Sequence, residues 1–145
     1  MSILCGLPAS AGAQSVPSDG YAEDVRTSAL AVAHAWVEAW NEADEASMAR
    51  LHDAELLYYW RGSPRGYDTF MAELREFIFP HETYATGMVD ARVQVLGPDA
   101  AVVGFLLGDL LEDDTVGTPG AAFTLVVVRR DDWKILHIHE SPVRE

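Results

Sequence analysis

Cysteine, positive charge and long apolar runs are all scarce in this chain. Its single cysteine, Cys5, cannot form an internal disulfide, and no paired-cysteine zinc motif occurs, so no covalent or metal staple holds the fold. Ten Lys and Arg stand against 23 Asp and Glu, a net charge of −13. Such a surface repels phosphate backbones and anionic lipid, so neither nucleic acid nor a membrane surface is an expected partner. No apolar run reaches the ~18 residues of a membrane span. A Gly-rich phosphate loop, a Ser-His-Asp order and a helix-borne His-Glu metal motif are also missing. The segment 62–66 reads as an ordinary loop. The acidic run Glu112-Asp113-Asp114 lacks the glycine and glutamate spacing of a calcium loop. No cofactor and no metal is therefore expected.

What is present suffices for one domain: 145 residues, 49% of them hydrophobic, can bury a core of their own. Residues 1–20 differ in composition, being small, apolar or turn-forming and uncharged until Asp19. Ala11-Gly12-Ala13 resembles a signal-peptidase site, although a basic start is missing. Residues 1–20 are thus either the remnant of a signal peptide, which makes the protein periplasmic or secreted, or a disordered leader on a cytoplasmic one. The folded domain is assigned to 21–145.

Val25, Ala29, Val32, Ala33, Trp36, Val37 and Trp40 recur at helical spacing, which predicts a helix over Asp24–Trp40 ended by Asn41. Asp44 is placed to cap a second, shorter helix. Leu56–Arg61 is short and aromatic and reads as a strand. Asp68 is expected to cap a third helix, stopped by Pro80. Four long strands follow: Thr83–Leu96, Ala100–Leu111, Ala121–Arg130 and Trp133–Ser141, the last two a hairpin turned at Asp131-Asp132. Helices segregated from a meandering sheet mean an α+β fold.

Three stretches in that order, WVEAWNEADEASMARLHD, RVQVLGPDAAVVGF and LVVVRRDDWKILHIHES, resemble the nuclear transport factor 2-like superfamily. The similarity lies with its SnoaL-like or ketosteroid-isomerase-like branch. The last two stretches are also similar to the association domain of calcium/calmodulin-dependent kinase II and its stand-alone bacterial relatives. The resemblance implies a cone-shaped, curved mixed sheet wrapped around three N-terminal helices, a cystatin-like roll. It also implies a cavity open at one end and a homodimer through the outer sheet face.

The same resemblance argues against two inherited activities. The tyrosine, base and buried acid of ketosteroid isomerases fall on Trp36, near Tyr59, and near Thr124 or Leu125, none of which can do those jobs. Two cavity arginines of the kinase association domain fall on Leu125 and Glu140, so an anionic ligand is disfavoured. The implied cavity instead suits a flat, apolar, neutral or cationic small molecule. Trp36, Trp40, Tyr58, Tyr59 and Trp60 would supply its π-faces, with Leu125 and Glu140 completing the lining.

On the last strand, alternation sets Trp133, Ile135, His137, His139 and Ser141 against Lys134, Leu136, Ile138 and Glu140. The resemblance turns the Glu140 side inward, making Glu140 the first candidate acid or base and Tyr59 the second. It turns His137 and His139 outward, toward a subunit interface. His34, His52 and His81 lack partners at ligand spacing and read as surface residues. Three functions stay open: a ligand-binding protein; a cofactor-free isomerase, cyclase or hydrolase acting on a small hydrophobic molecule; and an oligomerisation module with a vestigial cavity.

Overall fold

A computed structural model describes residues 20–144. The leader assigned to residues 1–20 lies, apart from Gly20, outside the described residues. Helix α1 runs Ala22–Glu42, its apolar face closed under the sheet by Val25, Ala29, Ala33, Trp36 and Trp40. It continues past Asn41 and ends at Ala43, which takes the left-handed conformation (φ 52°). There the Asp44 N–H reaches back to the Ala39 carbonyl at 2.9 Å and the Ala43 N–H to that of Trp40 at 3.2 Å, satisfying two orphaned carbonyls. Asp44 then caps α2 (Glu45–Leu51) by accepting from the Ser47 N–H at 3.0 Å, as its position predicted.

Strand β1 (His52–Trp60) turns into β2 (Ser63–Gly66), a short edge strand where the sequence had read as loop. Helix α3 (Tyr67–Glu73) starts from Gly66 rather than Asp68, which lies inside its first turn. It continues as one wider, π-type turn over Leu74–Ile78. The remaining strands are β3 (Thr86–Gly97), β4 (Ala100–Asp109), β5 (Ala121–Arg129) and β6 (Trp133–Pro142). All six form one sheet in the order β2-β1-β6-β5-β4-β3. Only β1 and β6 run parallel. A parallel pair cannot be joined by a tight turn, and here the whole of β2 through β5 forms the connection. The architecture is the α+β roll, three helices against a six-stranded mixed sheet.

Irregular registers curve the sheet. In β3, Asp90 sits at φ 57° where two residues oppose one on β4, and β1 slips against β6 between His52 and Leu57. In β6, Val126 pairs His137 while Val127 pairs Ile135, so Leu136 is the extra residue. That bulge overturns the strict alternation predicted for β6. Ile135 and Ile138 both point into the core and are fully buried, whereas His137 and His139 face outward. The concave side closes over α1, which packs against β3, β4, β5 and β6. The other end of the roll is formed by residues 110–120, which fold back over paired glycines Gly87 and Gly108. A Cβ on Gly108 would stand 2.8 Å from the Gly117 carbonyl oxygen, so the loop reaches this position only because Gly108 has no side chain.

Candidate functional site

Between α1, the end of β1, the start of β3 and the adjoining ends of β4, β5 and β6 lies a cavity of about 290 Å³. Its walls are mainly aromatic: Trp36 and Trp40 from α1, Tyr58 and Trp60 from β1, Tyr84 ahead of β3, and Phe123 from β5. Local structure dictates which side chains arrive. Trp36 and Trp40 are four apart on a helix and so share a face; Tyr58 and Trp60 are two apart on a strand and do likewise. The rings meet mostly edge to face. Trp40 lies 5.1 Å from Tyr84 at 70° and 6.1 Å from Trp60 at 85°, while Tyr58 and Trp60 stack at 5.7 Å and 19°. Such contacts lock the rings against one another, each worth about 0.5–1.5 kcal/mol beyond burial.

One polar pair is set among these rings. The Tyr58 hydroxyl donates to Glu140 Oε2 at 3.1 Å, joining β1 to the inner face of β6. Tyr58 is 1% exposed. Burial, and then the adjacent Glu140 carboxylate, hold its pKa well above the ordinary tyrosine value, so the hydroxyl keeps its proton and donates. Among the described residues no Lys, Arg or His forms an ion pair with Glu140. Tyr84, whose pKa is raised by burial and then by Glu82, donates to the Glu82 carboxylate. Arg61 and Asp109 are the remaining charged groups of the lining, and both are exposed. Asn41 holds the cavity edge in place. Its Nδ2 donates to the Thr86 carbonyl at 2.8 Å, and its Oδ1 accepts from the Thr86 N–H and hydroxyl, both at 2.9 Å.

Beneath the cavity, the Trp36 indole N–H donates to His52 Nε2 at 3.0 Å. His52 is 2% exposed, contrary to its expected surface position, because it opens β1 directly under α1. Burial pushes its pKa down to about 3, with the Lys134 ammonium adding to the effect. The imidazole is therefore neutral and, since Nε2 accepts, carries its proton on Nδ1. That Nδ1 and the Trp40 Nε1 are buried without a hydrogen-bond partner among the described residues.

Of the residues singled out from sequence, Trp36, Trp40, Tyr58, Trp60 and Glu140 meet at this cavity. Two do not. Tyr59 is 36% exposed on the outer face, stacked on His139 at 6.3 Å and near His137 at 5.8 Å. With Tyr58 inside, its chain neighbour must point outside, which removes Tyr59 as an acid or base of the cavity. Leu125 is fully buried in the core rather than in the lining. The sequence reading did not include Tyr84, Thr86, Leu107, Asp109, Thr118 and Phe123. Alternation along β4 and β5 could have found Leu107 and Phe123. Tyr84 lies outside regular structure and carries no such signal.

Residues 29–145 match the family model described as the SnoaL-like domain. The chain belongs to this family. Solved structures agree on the fold. A cystatin-like protein of unknown function from Caulobacter vibrioides superposes with a TM-score of 0.65 at 20% identity, covering 83% of this chain and 91% of that one. The association domain of the C. elegans calcium/calmodulin-dependent kinase II gives 0.65 at 20% identity, covering 85% and 98%. A type 2 hexachlorocyclohexane dehydrochlorinase gives 0.65 at 16% identity, covering 88% and 94%. Identities this low show the fold alone. No curated protein matches the chain significantly.

The burial of His52 has a pH consequence. Its folded pKa lies below the unfolded value of about 6.5, so between these values the unfolded chain takes up a proton that the folded one refuses. This contribution to stability is complete above pH 6.5 and is lost as pH falls, by about 1.4 kcal/mol per pH unit. His52→Gln can still accept from Trp36 but does not titrate. Urea denaturation at pH 7 and pH 5 should show the unmodified protein losing about 2 kcal/mol more than the variant. A difference below about 0.5 kcal/mol contradicts a buried neutral His52.

Proposed function

We infer that this SnoaL-like domain binds a small, largely apolar, neutral or cationic molecule, and that the cavity beside Trp36, Trp40 and Trp60 is where it binds. The observation that carries the reading is the combination of an aromatic enclosure with a single inward polar pair, Tyr58–Glu140. Apolar walls with a few placed polar groups are the usual makeup of a small-molecule site. A core residue needs no cavity beside it, and this one is large enough for a single aromatic ring with substituents.

Self-association through the outer face is part of the same proposal. Leu57, His137, Val126 and Val102 lie side by side across β1, β6, β5 and β4, with Tyr59, His139, Thr124 and Gly104 in the next row. On a chain of charge −13, neither row holds a carboxylate. A second copy can therefore approach here without facing like charge.

A catalytic reading is favoured by one feature, the position of Glu140 inside the cavity, where a carboxylate can take a proton from a bound carbon acid while Tyr58 hydrogen-bonds to it. The dehydrochlorinase neighbour indicates that the fold can host an enzyme. Propiophenone incubated with the protein in D₂O should then gain deuterium α to its carbonyl, and Glu140→Gln should not catalyse the exchange. Equal exchange with both proteins rules Glu140 out as a base.

The binding reading is tested by native mass spectrometry with neutral and cationic benzene derivatives. One non-covalent adduct per chain is expected, and Ala121→Trp, which fills the cavity from β5, should weaken it at least about tenfold, or ~1.4 kcal/mol. Adducts untouched by that substitution, or none with any derivative, overturn the reading. The same spectra report the assembly: a dimer supports the outer-face interface, and a monomer at micromolar concentration overturns it.

A further inference from the structure

The charge inside the cavity narrows the ligand class, an inference that rests on the binding reading above. The lining holds two carboxylates, Glu140 and Asp109, and one guanidinium, Arg61, a net charge of −1. Glu140 is half-buried among rings and accepts one hydrogen bond, from the neutral Tyr58 hydroxyl. The guanidinium of Arg65 is engaged elsewhere: it pairs with Glu73 at 2.6 Å and stands over the Trp60 ring, 5.6 Å from its centroid. A carboxylate in such surroundings is stabilised by an opposite charge, and no protein side chain among the described residues supplies one within ion-pair distance.

Trp40 stands at 85° to Trp60 and at 70° to Tyr84, so ring edges and ring faces together bound one corner of the cavity. π-faces and edges around a compact volume suit a cation whose charge is spread over alkyl groups. That Trp60 already carries Arg65 over its ring shows the pairing within this molecule. A primary ammonium has three N–H donors to satisfy, whereas an alkylated nitrogen has one or none and presents alkyl groups to the rings.

We propose that the cavity is a receptor for an organic cation, a tertiary or quaternary amine with apolar substituents, its charged nitrogen facing Glu140 and its alkyl groups against Trp40, Trp60 and Tyr84. Glu140 provides the charge and the rings provide the shape. The acidity of the whole chain adds a long-range field that draws cations toward it.

The test uses two molecules of the same shape, phenyltrimethylammonium and tert-butylbenzene, which differ in a nitrogen cation against a neutral carbon. Each is titrated into the unmodified protein and into Glu140→Gln, which keeps an acceptor for Tyr58, with tryptophan fluorescence as the readout. The cation should bind at least about tenfold more tightly than its neutral isostere. In Glu140→Gln that preference should shrink to near parity. Equal or tighter binding of tert-butylbenzene to the unmodified protein overturns the cation assignment and leaves the binding reading standing. A preference that persists undiminished in Glu140→Gln overturns the role given to Glu140. Binding of neither molecule overturns this inference and the binding reading together.

Discussion

A buried hydrogen bond from the Trp36 indole to His52 ties the long helix to the first residue of the first strand. Much of the molecule is arranged around it. Trp36 touches Phe105 and Phe123 across the sheet and Trp40 along its own helix, so one ring joins β4, β5 and α1. The bond fixes the rotation of that ring, and with it the floor of the cavity. It comes at a cost: the histidine that accepts it is held neutral by burial, and its Nδ1 has no partner among the described residues. An orphaned buried donor costs about 1–3 kcal/mol, which the surrounding apolar burial must offset. Replacing His52 with an apolar group would remove that orphaned donor, but it would leave the buried Trp36 indole N–H without its acceptor.

The cavity follows from curvature as much as from composition. Bulges in β3 and β6 and the slipped start of β1 bend the sheet around α1, and paired glycines at 87 and 108 let the loop 110–120 fold over the end. Bending leaves a space that α1 does not fill, and aromatic residues from α1, β1, β5 and the segment ahead of β3 line it. Among the described residues, the polar pair Tyr58–Glu140 is the one side-chain hydrogen bond linking β1 with β6, which run parallel. Binding and any proton transfer would therefore share a rigid frame.

Periodicity made much of this legible before any coordinates. The helical spacing of Val25 through Trp40 placed α1, and the aromatic strand and the final hairpin stood where they were expected. Five of the seven anticipated lining residues, Trp36, Trp40, Tyr58, Trp60 and Glu140, do converge. The failures have physical causes. Tyr58 and Tyr59 were both assigned to one cavity, although adjacent strand residues must part to opposite faces. Ile135 was placed outside because the bulge at Leu136 cannot be seen in a pattern of alternation. His52 was read as exposed because its partner, Trp36, is sixteen residues away and on another element. Leu125 came from a family correspondence and lands in the core. Tyr84 and Asp109 reach the cavity only through tertiary structure, which no local spacing encodes.

A small molecule bound in the cavity would sit among three of the four tryptophans. Trp133, in the β5–β6 hairpin away from the cavity, is a control within the same chain. Uniformly ¹⁵N-labelled protein titrated with phenyltrimethylammonium offers one indole N–H signal from each tryptophan. Binding there should move the Trp36, Trp40 and Trp60 signals together with a single affinity while that of Trp133 stays in place. Movement of Trp133 alone, or no movement at any of the four at saturating ligand, would contradict it.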